Sequence, residues 1–322
     1  MRANLRIRIY LPFMSTGYRG SRGTVTMLKR CVMLFCAMTT TGMPATAWPA
    51  FQAGSAPACK PAGSMMRLAD LPEASGLVAS RVTPGRLWAH NDSGKPEVFA
   101  LDAKGTVTGR VSISGAALED WEALASGACG KGTCLYIADI GDNNGKRSEI
   151  IIYRVPEPAN AGGSAQVDGV FRASYPDGAH DAEALLAAPD GTLYIVTKGD
   201  SGHVALYRFP QQLRAGTAMR LERVGAPLSK GEPAQNARIT DGAISSDGEW
   251  VVLRTRAALT FYRAAEFLKG DFREARSVDL TPLSEPQGEA VAFGPSNNTL
   301  YVAGEGGGKS QPGTLAVLSC AR

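Results

Sequence analysis

The sequence predicts an all-β repeat fold, and two observations carry that prediction. A short pattern recurs five times: a strand opening on acidic or polar residues, a tight turn, and a second strand rich in Leu, Trp and Tyr that ends in polar residues. Its clearest copies are Asp120-Trp-Glu-Ala-Leu124 with Leu135-Tyr-Ile-Ala-Asp139, and Asp181-Ala-Glu-Ala-Leu185 with Leu193-Tyr-Ile-Val-Thr197; weaker ones run through Leu87-Trp-Ala-His-Asn91, Trp250-Val-Val-Leu-Arg254 and Leu300-Tyr-Val-Ala-Gly304. Second strands starting at 87, 135, 193, 250 and 300 are spaced by 48, 58, 57 and 50 residues, which is the period of a β-propeller blade. The second observation is the chemistry between the paired strands: Pro-Gly, Gly-Lys-Gly, Pro-Asp-Gly, Ser-Asp-Gly and Ser-Asn-Asn are hairpin turns. The expected architecture is a five-bladed propeller of four-stranded blades. Six blades of about 46 residues is the alternative on length, but no sixth copy is recognisable.

The chain has 322 residues, and its first 47 differ from the rest. They carry Arg2, Arg6, Arg8, Arg19, Arg22, Lys29 and Arg30 and no Asp or Glu. From Met27, the basic Lys29-Arg30, the apolar run Cys31–Met38 and the small residues Ala45-Thr-Ala47 form the three regions of a secretory leader. Residues 1–26 are therefore expected to precede the physiological start, 27–47 to be a signal peptide, 48–63 an N-terminal segment, and 64–322 the propeller. Eight apolar residues are too few to span a bilayer, so no transmembrane segment is expected in the mature chain.

Inner strands are expected at 76–80, 121–125, 182–187, 242–245 and 289–293, and third strands at 97–101, 149–155, 204–209, 259–263 and 314–318. Outer strands follow at 110–113, 170–175, 219–224 and 275–280, and one short helix at 264–268. The fifth repeat runs out of chain before its outer strand. Residues 65–71, stranded ahead of the first blade, would fill that gap, closing the ring and removing a free sheet edge.

Without the leader's seven basic residues, 27 remain against 30 acidic ones, a net charge of about −3. With no basic stripe, nucleic-acid binding loses its electrostatic support. Four cysteines remain, Cys59, Cys129, Cys134 and Cys320, and in an oxidising compartment they can pair in three ways. The expected disulfides are Cys129–Cys134 across a short turn and Cys59–Cys320 between the ends of the domain; Cys-x4-Cys is poor zinc spacing. Secretion or a periplasmic location follows.

A propeller gathers the loops entering its inner strands, and those after its second strands, on one face. The first set holds Asp120 and Glu122, His180, Asp181 and Glu183, Asp241, and Gln287 and Glu289. The second holds His90 to Gly94, Asp139-Ile-Gly-Asp-Asn143, Lys198-Gly-Asp200 with His203, Arg254 and Glu305. Asp-x-Glu puts both carboxylates on one side of a strand. Oxygen donors alone, here Asp120, Glu122, Asp139, Asp181, Glu183 and Glu289, suit a hard divalent cation, Ca2+ before Mg2+. His90 and His180 are the expected proton carriers, with Lys198 and Arg254 holding negative charge. The structural alternative is that Asp, Asn and Gly here serve turn geometry. No Gly-x-Ser-x-Gly elbow, His-Glu-x-x-His or Walker loop is present.

Trp88-Ala-His-Asn-Asp-Ser-Gly94, Asp120-Trp-Glu-Ala-Leu124, Asp139-Ile-Gly-Asp-Asn143, Tyr175-Pro-Asp-Gly178, Asp181-Ala-Glu-Ala-Leu185 and Gln287-Gly-Glu-Ala-Val291 together resemble a family of secreted bacterial β-propellers, over roughly residues 66–318. More distantly the chain is similar to phytase-like, esterase-like and gluconolactonase-type propellers, which hold Ca2+ or another divalent ion in the channel. That resemblance implies Asp120, Glu122, Asp181, Glu183 and Glu289 as ligands. It also implies a metal-dependent hydrolase of phosphoesters, esters or lactones, a step that rests on fold-level analogy. The alternative is a non-enzymatic propeller with a structural cation. The expected partner is a small-molecule or envelope ligand at the channel mouth of a monomer.

Overall fold

Five small antiparallel sheets, each begun by one of the recurring strand pairs, stand in a ring as the blades of a five-bladed β-propeller. The computed structural model describes residues 55–199, 203–228, 238–308 and 310–321; the expected signal peptide lies outside them, as does Asp200. From the axis outward, the first blade is Ala74–Ala79, Leu87–Asn91, Glu97–Leu101 and Val107–Ser114, and the second is Trp121–Cys129, Gly132–Asp139, Ile150–Pro156 and Gly169–Ser174. The third is Ala182–Ala187, Leu193–Thr197, Val204–Arg208 and Glu222–Leu228, and the fourth Ile239–Ile244, Trp250–Thr255, Ala258–Arg263 and Glu274–Asp279. Ala264–Phe267 forms the short helix.

The fifth blade has Gln287–Phe293, Thr299–Glu305 and Gly313–Ala321. Met66–Leu68 and Ala58–Pro61 both pair antiparallel with Gly313–Ala321, so chain from the start of the domain completes its last sheet. Cys59 lies directly opposite Cys320 and is bonded to it, and Cys129 is bonded to Cys134. The sheet thus begins at Ala58, ahead of the expected boundary at 64.

Inner strands are buried on both faces because each blade packs against two others, which is why they read as apolar runs such as Ala184-Leu-Leu-Ala187 rather than as alternation. Each of the five apolar clusters of the core lies between adjacent blades. Trp88, Val98 and Val111 meet Trp121, Leu124 and Leu135 between the first and second; Phe261 and Trp250 meet Val291 and Leu318 between the fourth and fifth. At about 25 cal/mol per Å2 of apolar surface, each fully buried aromatic contributes roughly 2–3 kcal/mol.

Two short straps were not expected. Gly163–Gln166 leaves the second blade to pair in parallel with the outer strand of the first, and Met219–Arg220 leaves the third to pair with the outer strand of the second. The predicted outer strand 219–224 is therefore divided between two blades. The first strap runs so close that a Cβ on Gly109 would stand 1.9 Å from the Ala161 carbonyl oxygen.

The axial channel has two unlike ends. At one, Leu77, Leu124, Leu185, Ile244 and Phe293 leave a cavity of only about 40 Å3. The other opens into a polar cavity of about 660 Å3.

Candidate functional site at the polar end of the channel

In every blade, pairing between the first two strands slips by one residue near the start of the inner strand. The residue passed over is Ser75, Glu122, Glu183, Thr240 and Glu289 in blades one to five. A bulge re-aims its extra side chain, and here it does so at the same level five times. Two residues earlier stand Glu73, Asp120, Asp181, Arg238 and Gln287, so Asp-x-Glu is one version of a position pair that the other blades fill differently. A third tier comes from the ends of the second strands, where Asp92, Lys198, Arg256 and Glu305 line the cavity. Among the described residues, no aromatic or large apolar side chain lines it.

Three carboxylates come together between the second and third blades: Glu122, Asp181 and Glu183 offer oxygens that all lie within 4.8 Å of one another. Ser75 Oγ donates to Glu122 Oε2 at 3.1 Å and to the Glu122 carbonyl at 2.8 Å, and Thr240 Oγ1 repeats the latter contact on the Glu289 carbonyl at 2.9 Å. The Asp142 N–H donates to Asp181 Oδ1 at 2.7 Å. Gly141 is pressed against the cluster, since a Cβ there would meet the Asp120 carboxylate at 2.4 Å and Glu122 Oε1 at 2.7 Å. Lys198 Nζ binds Asp181 Oδ2 at 3.1 Å and also contacts Glu183 Oε1.

Burial dominates the electrostatics. It pushes the Glu122 and Glu183 carboxyls well above the usual range; the charges of Glu183 and Asp120 add to the effect on Glu122, and those of Glu289 and Asp181 to the effect on Glu183, against the pull of Lys198. Asp120 is raised by burial and by Asp181. Glu289 is raised by burial, against the pull of Arg256 at 3.5 Å. Glu305 is pushed up to about 7 by burial and then by Glu289 and Asp92. The same carboxylates hold the Lys198 ammonium above its ordinary value despite its burial.

Five residues of the expected site face elsewhere. His90 is fully buried on the second strand of blade one, edge-on to Trp121 at 5.5 Å with Nδ1 at 3.0 Å from the Asn91 carbonyl, and burial lowers its pKa to about 4. Arg254 occupies the equivalent position in blade four: it donates to the Ala290 carbonyl, to that of Ala303 at 2.8 Å, and to Glu285 Oε2 at 2.5 Å, tying blades four and five. Both sit two residues, about 6.6 Å of strand, deeper than the cavity-lining tier. Asp139 is spent on Arg147 at 2.7 Å and on the N–H groups of Glu119 and Asp120 at 3.1 and 3.2 Å. His180 is held off the channel by Asp177 at 3.1 Å and the Tyr207 hydroxyl at 2.9 Å. Asp241 accepts the N–H groups of Gly242 and Val291, both at 2.7 Å, and braces two blades. His203 is exposed.

Sequence reasoning does not single out Arg238 and Arg256, and Asp92 enters it only within the segment His90 to Gly94. The signal existed: each falls at the same offset from its strand pair as Asp181, Lys198 and Glu305, a correspondence visible once the five copies are aligned on the bulge rather than on the aromatic second strand.

No protein-family model matches the chain, and no curated protein matches it. Among solved structures it is similar to a hydrazine synthase of Kuenenia stuttgartiensis, at 17% identity and a TM-score of 0.37 over 73% of this chain and 56% of that one. It is also similar to a glucose dehydrogenase, at 13% identity and a TM-score of 0.43 over 79% of this chain and 99% of that one. The chain thus spans little more than half the length of the first.

Proposed function

We propose that the protein is a divalent-cation-binding propeller in which Glu122, Asp181 and Glu183 hold Ca2+ and a small polar ligand occupies the cavity above it. The observation that carries this reading is the set of three carboxylates from two blades within 4.8 Å of one another. Two oxygens bound to one Ca2+ at 2.3–2.6 Å can be at most about 5 Å apart, whereas Mg2+ at about 2.1 Å requires about 4.2 Å or less. An upper limit of 4.8 Å lies within the reach of Ca2+, and a site of oxygens alone suits such a hard cation. Carboxyls driven toward protonation by burial and by one another are stabilised as anions by such an ion. Asp120 adjoins the set; Asp139 and Glu289 have other partners. Secretion or a periplasmic location agrees with two disulfides, and among the described residues no helix is long and apolar enough to cross a membrane.

A hydrolytic reading is favoured by one observation, the placement of Glu305 in the same cavity with a pKa of about 7. A bound Ca2+ supplies Lewis-acid polarisation of a phosphoryl or carbonyl oxygen. Glu305 can exchange a proton at neutral pH, a role that His90 and His180 cannot fill from their positions, while Arg238 and Arg256 provide donors for an anionic group.

The test is calorimetric titration of the chain with Ca2+, alongside thermal unfolding. At a hundredfold excess over Kd the ion contributes about 2.7 kcal/mol, or roughly 5–10 °C in a domain of this size. Asp181→Ala with Glu183→Ala should abolish both signals in a folded protein; unchanged Ca2+ affinity in that variant removes the site assignment. Turnover of a phosphoester, ester and lactone panel that is lost with chelator and in Glu305→Gln supports the enzyme. Chelation that lowers only the unfolding temperature supports the binding protein.

A further inference from the structure

We propose that Lys198 is a built-in competitor of the cation: its ammonium fills the carboxylate site in the ion-free protein and is expelled toward the channel mouth when Ca2+ enters. The inference rests on the Ca2+ reading above and adds how that site is regulated.

Lys198 follows directly on the second strand of the third blade, and its backbone is fixed on both sides. Its N–H donates to the Asp181 carbonyl at 2.9 Å, and its own carbonyl accepts the Ile239 N–H of the fourth blade at 3.0 Å. Movement is therefore left to the four-carbon side chain, which is 20% exposed and opens on the cavity. The ammonium already binds two of the three carboxylates, Asp181 at 3.1 Å and Glu183 in close contact, and stands 3.5 Å from Asn143 Oδ1.

Oxygens no more than 4.8 Å apart enclose a single cation position. An ion within bonding reach of all three would share Asp181 and Glu183 with the ammonium, and a divalent and a monovalent charge cannot both occupy contact distance of the same oxygens without strong repulsion. The side chain has somewhere to go, because Glu289 and Glu305 line the same cavity and each is held in a carboxylate-rich setting that a positive charge relieves. Ion binding would thus deliver an ammonium to the mouth beside Arg238 and Arg256. An anionic ligand and Ca2+ should then strengthen each other's binding, by the reciprocity of linked equilibria.

Two measurements on the full chain test this. Calorimetric titration should show Lys198→Met, which keeps side-chain length and removes the charge, binding Ca2+ at least tenfold more tightly than the wild type. Lysine acylation with an N-hydroxysuccinimide ester, read by peptide mass spectrometry, should modify Lys198 slowly in chelator and at least severalfold faster in saturating Ca2+. Wild-type Ca2+ binding with an equal or weaker affinity in Lys198→Met overturns the competition, as does labelling of Lys198 that Ca2+ leaves unchanged. Absence of Ca2+ uptake by both proteins overturns the cation reading itself. Uptake by the variant alone supports both. If Lys198→Met does not fold, the labelling of the native chain decides.

Discussion

Removing the Cys59–Cys320 bond should destabilise the domain far more than removing Cys129–Cys134, although both are single bonds between adjacent strands. The long bond spans 261 residues and the short one 5. In the chain-entropy model the cost of cross-linking the unfolded state grows with the logarithm of loop length, which gives about 5.5 kcal/mol for the first and about 2 kcal/mol for the second at 25 °C. In a domain of this size those figures correspond to losses of roughly 11–22 °C and 4–8 °C in unfolding temperature. Cys320 also sits in the apolar cluster between the fourth and fifth blades, and paired replacement by alanine spares it an unpaired buried thiol. The assay is differential scanning calorimetry, without reductant, of Cys59→Ala/Cys320→Ala and of Cys129→Ala/Cys134→Ala. A short-loop variant that loses as much as the long-loop variant would refute the reasoning, because ring closure would then contribute nothing beyond the hydrogen bonds of the closing strands.

Two further outcomes are expected. Arg254→Met should cost about 3–5 kcal/mol in urea unfolding, since it leaves the buried Glu285 carboxylate without its partner, whereas Arg256→Met on the exposed rim should stay within about 0.5 kcal/mol; equal effects would mean that Arg254 is not the inter-blade tie. His90, with a folded pKa of about 4 against 6.5 when exposed, binds protons more readily in the unfolded chain. Its contribution is fully present above pH 6.5 and lost as pH falls toward 4, about 2–3 kcal/mol of it by pH 4.5. Unfolding at pH 7.5 and 4.5 should show that difference shrink by about this amount in His90→Gln, and an unchanged difference would place the titration elsewhere.

The blades were legible because strand and turn chemistry is local: Glu97–Leu101 and Ala182–Ala187 were bounded to the residue, and closure by residues 65–71 followed from a missing strand that Met66–Leu68 supplies. The carboxylates were legible through Asp-x-Glu. What was hidden is depth along the strand. His90 and Arg254 are polar residues near the ends of second strands, as Lys198 and Arg256 are, and only the bulge register separates a side chain wedged between blades from one at the mouth. Asp139 was hidden differently: its partner Arg147 lies eight residues on in a loop with no strand pattern. The straps Gly163–Gln166 and Met219–Arg220 are too short to show any alternation.

Because the inner-strand bulge recurs at the same point in all five blades, backbone pairing and side-chain identity are decoupled at Ser75, Glu122, Glu183, Thr240 and Glu289. Each is a socket whose occupant can be exchanged while the packing between blades continues below it. Charge, donor count and the chemistry admitted at the axis can then be recoded by five substitutions, so a scaffold of this kind can change its ligand far faster than it changes its shape.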